Sequence, residues 1–153
     1  MKLKVIPNEQ TPKIIEYKPI DQLLKEDYKL LEKFISFSQT RKLCIGLASN
    51  QVACDNERIT QPFFTMKDIN GWGIYLQPEI IKCYGNKSEV KEGCLTWQGK
   101  TIVASRYFDI DLKYYNLKGE QKVENFKMLQ AQVCQHECNH LLGVEEKFEE
   151  IKK

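Results

Sequence analysis

Both histidines of the chain lie in one pentapeptide, His136-Glu137-Cys138-Asn139-His140. Residues four positions apart lie on the same face of an α-helix, so the two imidazoles could bind one metal ion. Glu137 lies on the adjoining face, where its carboxylate could take a proton from an activated water and give it to a leaving amine. The pattern predicts a metal-dependent hydrolase. Further features are needed, because short matches of this type also occur in helices that bind no metal.

Length and composition favour one ordinary domain over residues 1–153. The chain has 23 basic and 21 acidic residues, and no segment concentrates the basic ones, so we expect no nucleic-acid partner. No apolar run is long enough for a membrane span, and residues 1–7 lack the apolar centre of a secretory signal. We therefore expect a cytoplasmic monomer whose six cysteines are reduced, so that one of them could bind a metal.

Three segments carry clear secondary-structure patterns. Apolar residues at helical spacing predict a helix from residue 21 to about residue 40, with Asp21 as its cap. Residues 72–81 suit a strand with a break near Pro78. Residues 108–114 alternate between apolar and polar, and residues 116–119 then supply a turn, which predicts a hairpin.

The histidine motif belongs to a second pattern of helical spacing, which Gly143 should end. The face predicted to point inward carries Leu129, Val133, His136, Glu137, His140 and Val144. These elements together predict an α+β domain in which antiparallel sheets surround a central helix that bears the motif.

A catalytic metal site usually has three protein ligands and one position open for water. The third ligand could be an Asp, Glu or Cys on a loop. Cys94 is the strongest candidate, because it follows Gly93 and a glycine lets the backbone approach closely.

Three segments in this order resemble the motifs of the peptide deformylase family, and the similarity extends over about residues 3–148. They are Gly46-Leu47-Ala48-Ser49-Asn50-Gln51, Glu92-Gly93-Cys94-Leu95-Thr96 and the run from Gln135 through the two histidines to Gly143. The resemblance implies an enzyme that removes the formyl group from the amino-terminal formylmethionine of newly made polypeptides. It also implies one divalent metal ion per chain, Fe²⁺ in the cell, with Ni²⁺, Co²⁺ or Zn²⁺ as substitutes.

The resemblance also assigns roles to residues at the reacting centre. The implied metal ligands are Cys94, His136 and His140. Glu137 would be the general base and acid, while the side-chain amide of Gln51 and the backbone N–H of Leu95 would donate hydrogen bonds to the formyl oxygen, as an oxyanion hole does.

The remaining implied roles concern the substrate and the support of a ligand. Gly46 would leave room for the substrate backbone, and Ile45 with Val133 would line a pocket for the methionine side chain, although both also suit a plain core. Glu92 and Arg106 would pair and orient His136. A surface ion pair of little consequence is the alternative for that pair.

The match departs from the family pattern at several positions, and these are Cys44, Ser49, Asn50, Thr96, Thr101 and Asn139. They put substrate specificity and rate in doubt more than metal binding. The chain ends ten residues after Gly143. The resemblance is therefore to a compact form with a short carboxyl-terminal tail, and we do not expect ribosome docking through such a tail.

Three alternatives stay open. A deformylase relative could be weakly active or inactive and bind peptides without turnover, although Glu137 and Gln51 favour activity. A zinc endopeptidase shares the histidine motif, but its third ligand is usually a downstream His or Glu. A structural zinc site could recruit Cys134 or Cys138, and a closed coordination shell would distinguish it from a catalytic site.

Overall fold

The computed structural model describes residues 1–42 and 44–150, in which ten strands accompany two α-helices. The helices are α1 (Ile20–Gln39) and α2 (Met128–Leu142), and a 3₁₀ helix covers Ser49–Gln51. The strands are β1 (Leu3–Val5), β2 (Gly46–Ala48), β3 (Val52–Cys54), β4 (Glu57–Arg58), β5 (Phe63–Asp68), β6 (Gly71–Cys83), β7 (Ser88–Glu92), β8 (Ile102–Arg106), β9 (Asp109–Tyr115) and β10 (Gln121–Lys127). Every strand pair in the described residues is antiparallel. The predicted α+β class is confirmed.

A five-stranded sheet of order β10-β9-β6-β5-β2 separates the two helices. Successive residues of a strand point to opposite faces. In β5, Phe63 accordingly packs in the cluster that contains the α1 residues Leu23 and Phe34, whereas Phe64 packs in the cluster that contains Val133 and Cys134 of α2. Two smaller sheets, β1-β3-β4 and β7-β8, complete the described structure. The motif helix is therefore covered by the main sheet on its apolar side.

The helix predicted from residue 21 is confirmed as α1, but the prediction of its cap is wrong. Pro19 is the N-cap residue, and no side chain caps the helix. Asp21 lies one residue inside α1, in the first turn, where a negative charge suits the positive end of the helix dipole.

The predicted strand break and hairpin are both present. In β6 the register with β9 shifts between Leu76 and Glu79, on either side of Pro78. The hairpin consists of β9 and β10, whose residues pair from Asp109 opposite Lys127 to Tyr115 opposite Gln121. None of the described helices is long and apolar enough to cross a membrane.

Helix α2 ends as predicted, because Gly143 caps it with a φ of 70° in the left-handed region. Of the six residues predicted to point inward, four are buried, namely Val133, His136, Glu137 and His140. The prediction is wrong for Leu129 and Val144, which are 49% and 46% exposed. Leu129 lies in the first turn at the rim of a cavity, and Val144 follows the glycine that turns the chain off the helix axis.

Candidate metal centre

Two elements bring three metal-ligating side chains together. Helix α2 carries His136 and His140, and the loop between β7 and β8 carries Cys94. One ligand atom from each residue lies within 4.8 Å of the other two. The two Nε2 atoms are 3.1 Å apart, and Cys94 Sγ is 3.5 Å from Nε2 of His140. These separations suit donors around one small ion, since atoms about 2.1 Å from a tetrahedral centre lie about 3.4 Å apart.

The other nitrogen of each imidazole has its own partner. Nδ1 of His136 is 2.9 Å from Oε1 of Glu92, and Nδ1 of His140 is 3.3 Å from Oγ1 of Thr11. The Thr11 hydroxyl donates its one hydrogen to the backbone carbonyl of His140 at 2.8 Å, so its oxygen accepts from Nδ1. Both rings then carry a proton on Nδ1 and direct Nε2 to the metal position, as ligating histidines commonly do.

Glu92 forms a buried ion pair with Arg106. The guanidinium donates from Nε at 3.1 Å and from one terminal nitrogen at 2.8 Å, and Gln132 donates to the same carboxylate at 2.9 Å. Both charged side chains are at least 94% buried, so the alternative of a surface pair does not describe them. Burial acts to raise the pKa of Glu92, but its hydrogen bonds to His136 and Arg106 prevail and lower that pKa to about 2.

The two histidines respond to this environment in opposite directions. Burial disfavours the charged form of His136, yet hydrogen bonds to Cys94 and Glu92 raise its pKa above the usual range. Burial and the neighbouring His136 lower the pKa of His140. Of the two imidazoles, His136 is therefore the one whose charged form the site favours. A bound metal ion would supply positive charge between the rings in place of a proton.

Glu137 points toward the same position from the adjoining face of α2. Its Oε1 is 3.8 Å from Nε2 of His136, and its buried Oε2 has no hydrogen-bond partner in the described residues. Burial raises the pKa of Glu137 to about 7, and the carboxylate of Glu146 adds to this rise while His136 opposes it. A carboxylate with this pKa can both accept and donate a proton near neutral pH.

Of the two expected oxyanion donors, Gln51 contacts Cys94 through its side chain and Leu95 follows Cys94 in the chain. Oε1 of Gln51 accepts from the backbone N–H of Ala48 at 2.8 Å, which fixes the amide. Nε2 of Gln51 donates to Oγ1 of Thr96 at 3.1 Å and to Sγ of Cys94 at 3.3 Å. The N–H of Leu95 has no partner among the hydrogen bonds of the described residues. The backbone N–H of Leu95 is thus free to donate. Both amide hydrogens of Gln51 are already directed to Thr96 and Cys94, so one of them would have to turn to a substrate oxygen.

The three residues expected to bind substrate line a cavity of about 940 Å³ that also reaches His136 and Glu137. Ile45 is 42% exposed and Val133 is buried. Gly46 also packs against α2. A Cβ on Gly46 would lie 2.6 Å from Cγ1 of Val133 and 3.3 Å from Glu137. Its missing side chain therefore lets strand β2 contact the helix that carries Glu137.

Two further sequence expectations need correction. A Cβ on Gly93 would meet nothing within 4 Å, so no close backbone approach explains that glycine. The cysteines considered for a structural zinc site are buried elsewhere, with Sγ of Cys134 3.9 Å from Sδ of Met66 in the core. The candidate donor group in the described residues contains neither Cys134 nor Cys138.

Several polar residues around the ligands were not found by sequence reasoning. Asn50 donates to the backbone carbonyls of Pro12 and His140 at 2.9 and 2.7 Å, so this departure from the family pattern holds the end of α2. Glu146 places Oε1 3.5 Å from Nε2 of His140. Thr11 and Gln132 have the contacts described above. Asn50 lies within the first motif, where only its departure from the family pattern was noted, whereas Thr11, Gln132 and Glu146 lie in none of the motifs and come close only through the fold.

Known proteins are similar to this chain in sequence and in fold. Residues 7–148 match the family model described as polypeptide deformylase. A peptide deformylase of Thermotoga sp. (strain RQ2) is 36% identical over 100 residues, which are 65% of this chain and 58% of that protein. The matched region thus spans less than two thirds of that relative's length.

Solved structures agree with this result. The crystal structure of peptide deformylase from Thermotoga maritima has a TM-score of 0.78 at 29% identity and covers 94% of both chains. The deformylase of Vibrio parahaemolyticus bacteriophage VP16T, solved in complex with actinonin, has a TM-score of 0.76 at 25% identity. It covers 92% of this chain and 98% of that one.

Proposed function

Because the chain belongs to the polypeptide deformylase family, we propose that it removes the amino-terminal formyl group from the formylmethionine of newly made polypeptides. The observation that carries this proposal is the convergence of Cys94, His136 and His140, whose ligand atoms lie within 4.8 Å of one another. Glu137 lies buried beside them with an unpaired carboxylate oxygen. A site that only bound a peptide would need no proton-transferring group at this position.

Cys94, His136 and His140 would hold one divalent metal ion. The donor set fits this role, because one thiolate and two neutral imidazoles suit several first-row metals. A bound ion would supply Lewis acidity, which activates water at neutral pH. We propose Fe²⁺ as the metal in the cell, with Ni²⁺, Co²⁺ and Zn²⁺ as substitutes. Activity of the iron-loaded protein that fades in air, together with activity of the nickel-loaded protein that persists, would support this assignment. Equal activity of an aerobic zinc-loaded protein and the iron-loaded protein would contradict it.

Glu137 would act first as a base and then as an acid. Its carboxylate takes a proton from the water whose oxygen attacks the formyl carbon. The same carboxyl then gives the proton to the amine nitrogen as the carbon–nitrogen bond breaks, so formate and a free amino terminus result. The pKa of about 7 at Glu137 suits both transfers.

Gln51 and Leu95 would stabilise the negative charge that develops on the formyl oxygen. The Leu95 N–H is free to donate, and the Gln51 amide is held in place by its bond from Ala48. Fixed donors stabilise such a charge without reorganising during the reaction. The donation from Gln51 to Cys94 would also moderate the charge on the thiolate.

Ile45 and Val133 would form the apolar wall that accepts the methionine side chain. Both line the cavity in front of Glu137, together with Leu95 and Trp97. An unbranched thioether adapts to such a wall through its own torsions. The supporting pair of Glu92 and Arg106 would keep His136 oriented while substrate binds.

We further propose a cytoplasmic monomer with no nucleic-acid partner. The near balance of 23 basic and 21 acidic residues supports the absence of nucleic-acid binding.

The test is formate release from a formyl-Met-Ala-Ser peptide by nickel-loaded protein, with the Glu137→Ala variant beside it. Glu145→Ala is the matched control, because Glu145 is an exposed glutamate outside the motif. Release by wild type and control but not by Glu137→Ala is the expected result. Absence of release despite one bound metal per chain would instead favour a relative that binds peptides without turnover.

A further inference from the structure

The segment that follows α2 returns to the metal centre. Its residues 147–149 pair with strand β8 at the edge of the β7-β8 sheet. The Val103 N–H donates to the Lys147 carbonyl at 2.7 Å, and the Glu149 N–H donates to the Thr101 carbonyl at 2.8 Å. The backbone N–H of Glu146 donates to Oε1 of Gln10 at 3.1 Å. Glu146 is therefore held between the end of α2 and strand β8.

The Glu146 side chain is only 8% exposed, and it points toward the ligand atom of His140. Its Oε1 lies 3.5 Å from Nε2 of His140 and has no hydrogen-bond partner in the described residues. A buried carboxylate without a partner is costly, so the structure should offer it a positive charge. Glu145, the preceding residue, is exposed and serves no such site.

Once a metal is bound, neither His140 nor Arg106 has a free N–H that is directed to the Glu146 carboxylate. Nδ1 of His140 is already paired with Thr11, and a ligating Nε2 carries no proton to donate. Arg106 directs two of its nitrogens to Glu92. A metal ion held by Cys94, His136 and His140 would place a positive charge beside Glu146.

The distance supports the same conclusion. The separation of 3.5 Å between Glu146 Oε1 and His140 Nε2 equals that between Cys94 Sγ and the same nitrogen. Two donors of one tetrahedral ion are separated by about 3.4 Å. Glu146 lies outside the group of three donors that are within 4.8 Å of one another, so it must rotate about its side-chain torsions to bind. The flexible glutamate side chain allows such a rotation.

We propose that Glu146 is a fourth protein donor to the metal, so that the centre consists of one thiolate, two imidazoles and one carboxylate. This inference rests on the metal site proposed above, but not on the deformylation reaction. With a water or substrate oxygen also bound, the ion would be five-coordinate. The added oxygen donor should tighten binding of divalent ions and change the ligand field.

The experiment loads wild type, Glu146→Gln and Glu145→Gln with Co²⁺. Affinity is measured by competition with a chelator, and coordination is read from the visible d–d spectrum. We expect Glu146→Gln to bind Co²⁺ about tenfold or more weakly and to show the more intense bands of a four-coordinate ion. Glu145→Gln should match wild type in both measurements.

Identical affinity and spectra for wild type and Glu146→Gln would overturn the proposal. Weaker affinity with an unchanged spectrum would also overturn it, because charge alone would then explain the loss. If Glu146→Gln does not fold, Glu146→Asp serves instead, since its shorter carboxylate keeps the charge but reaches less far, and its spectrum should move toward that of four coordination. A protein with the expected spectra and no formate release would refute the proposed reaction and leave this inference standing.

Discussion

Gly46 in strand β2 and Val133 in helix α2 approach so closely that a Cβ on the glycine would lie 2.6 Å from Cγ1 of the valine. The contact matters because Glu137 extends from the same helix, one turn further on. The absence of a side chain at Gly46 thus sets the distance between strand β2 and the helix that carries Glu137.

Gly46→Ala should destabilise the fold by about 1–3 kcal/mol, because a branched side chain on a packed helix has little room to move. Thermal unfolding measures this effect. Gly93→Ala is the control, since its Cβ would meet nothing within 4 Å and it should leave stability nearly unchanged. Gly46→Ala should cost less stability in a Val133→Ala background than in wild type, and an equal cost in both backgrounds would contradict the steric explanation.

Glu92→Gln should weaken metal binding by about tenfold to a hundredfold, because it removes the charge that orients His136 and pairs with Arg106. The measurement is competition with a chelator at neutral pH. Glu89→Gln, an exposed change on the same strand, should bind metal as wild type does. Equal affinities for both variants would show that the buried pair does not support the ligand.

Thr11→Val should also reduce metal affinity, by about tenfold, although the residue lies far from the motifs in sequence. The valine has the same shape but neither accepts from Nδ1 of His140 nor donates to its carbonyl. Thr60→Val provides the control, because Thr60 is exposed. The prediction is wrong if both variants titrate with metal like wild type.

Gln51→Ala should lower kcat for the formylated peptide by about a hundredfold or more, the usual effect of losing one oxyanion donor. Metal content should be determined in the same samples, because Gln51 also donates to the ligand Cys94. Gln39→Ala at the exposed end of α1 is the control. A normal kcat in metal-loaded Gln51→Ala would remove this residue from the proposed mechanism.

The metal-free protein should lose stability as the pH rises from 4.5 to about 7 because of Glu137. The pKa of Glu137 rises from 4.5 in the unfolded chain to about 7 in the fold, so the folded chain holds a proton that the unfolded chain has released. The loss attributable to this group is about 3 kcal/mol. Urea unfolding at several pH values measures it, and Glu137→Gln should show a clearly flatter pH dependence. An equally steep dependence in that variant would place the effect on other groups.

Local patterns in the sequence were sufficient for both helices, for strand β6, for the β9–β10 hairpin and for the histidine motif. Helical spacing predicted α1 and α2, and alternation predicted the β9–β10 hairpin, because both patterns follow directly from backbone geometry. The two histidines four apart needed only their own helix to face one position. Cys94 was singled out by the glycine that precedes it and by the resemblance of its segment to a family motif, since nothing in the spacing relates it to residues more than forty positions away.

The tertiary structure alone decided which groups surround these residues. Thr11 reaches His140 across 129 positions and Asn50 reaches the same residue across 90, and neither shares a periodic pattern with it. The inward position of Glu146 depends on the left-handed turn at Gly143 and on the pairing of residues 147–149 with the edge of β8. A sequence determines which residue types can do chemistry, but burial and long-range hydrogen bonds exist only once the chain is folded, and they decide the protonation and orientation of those residues.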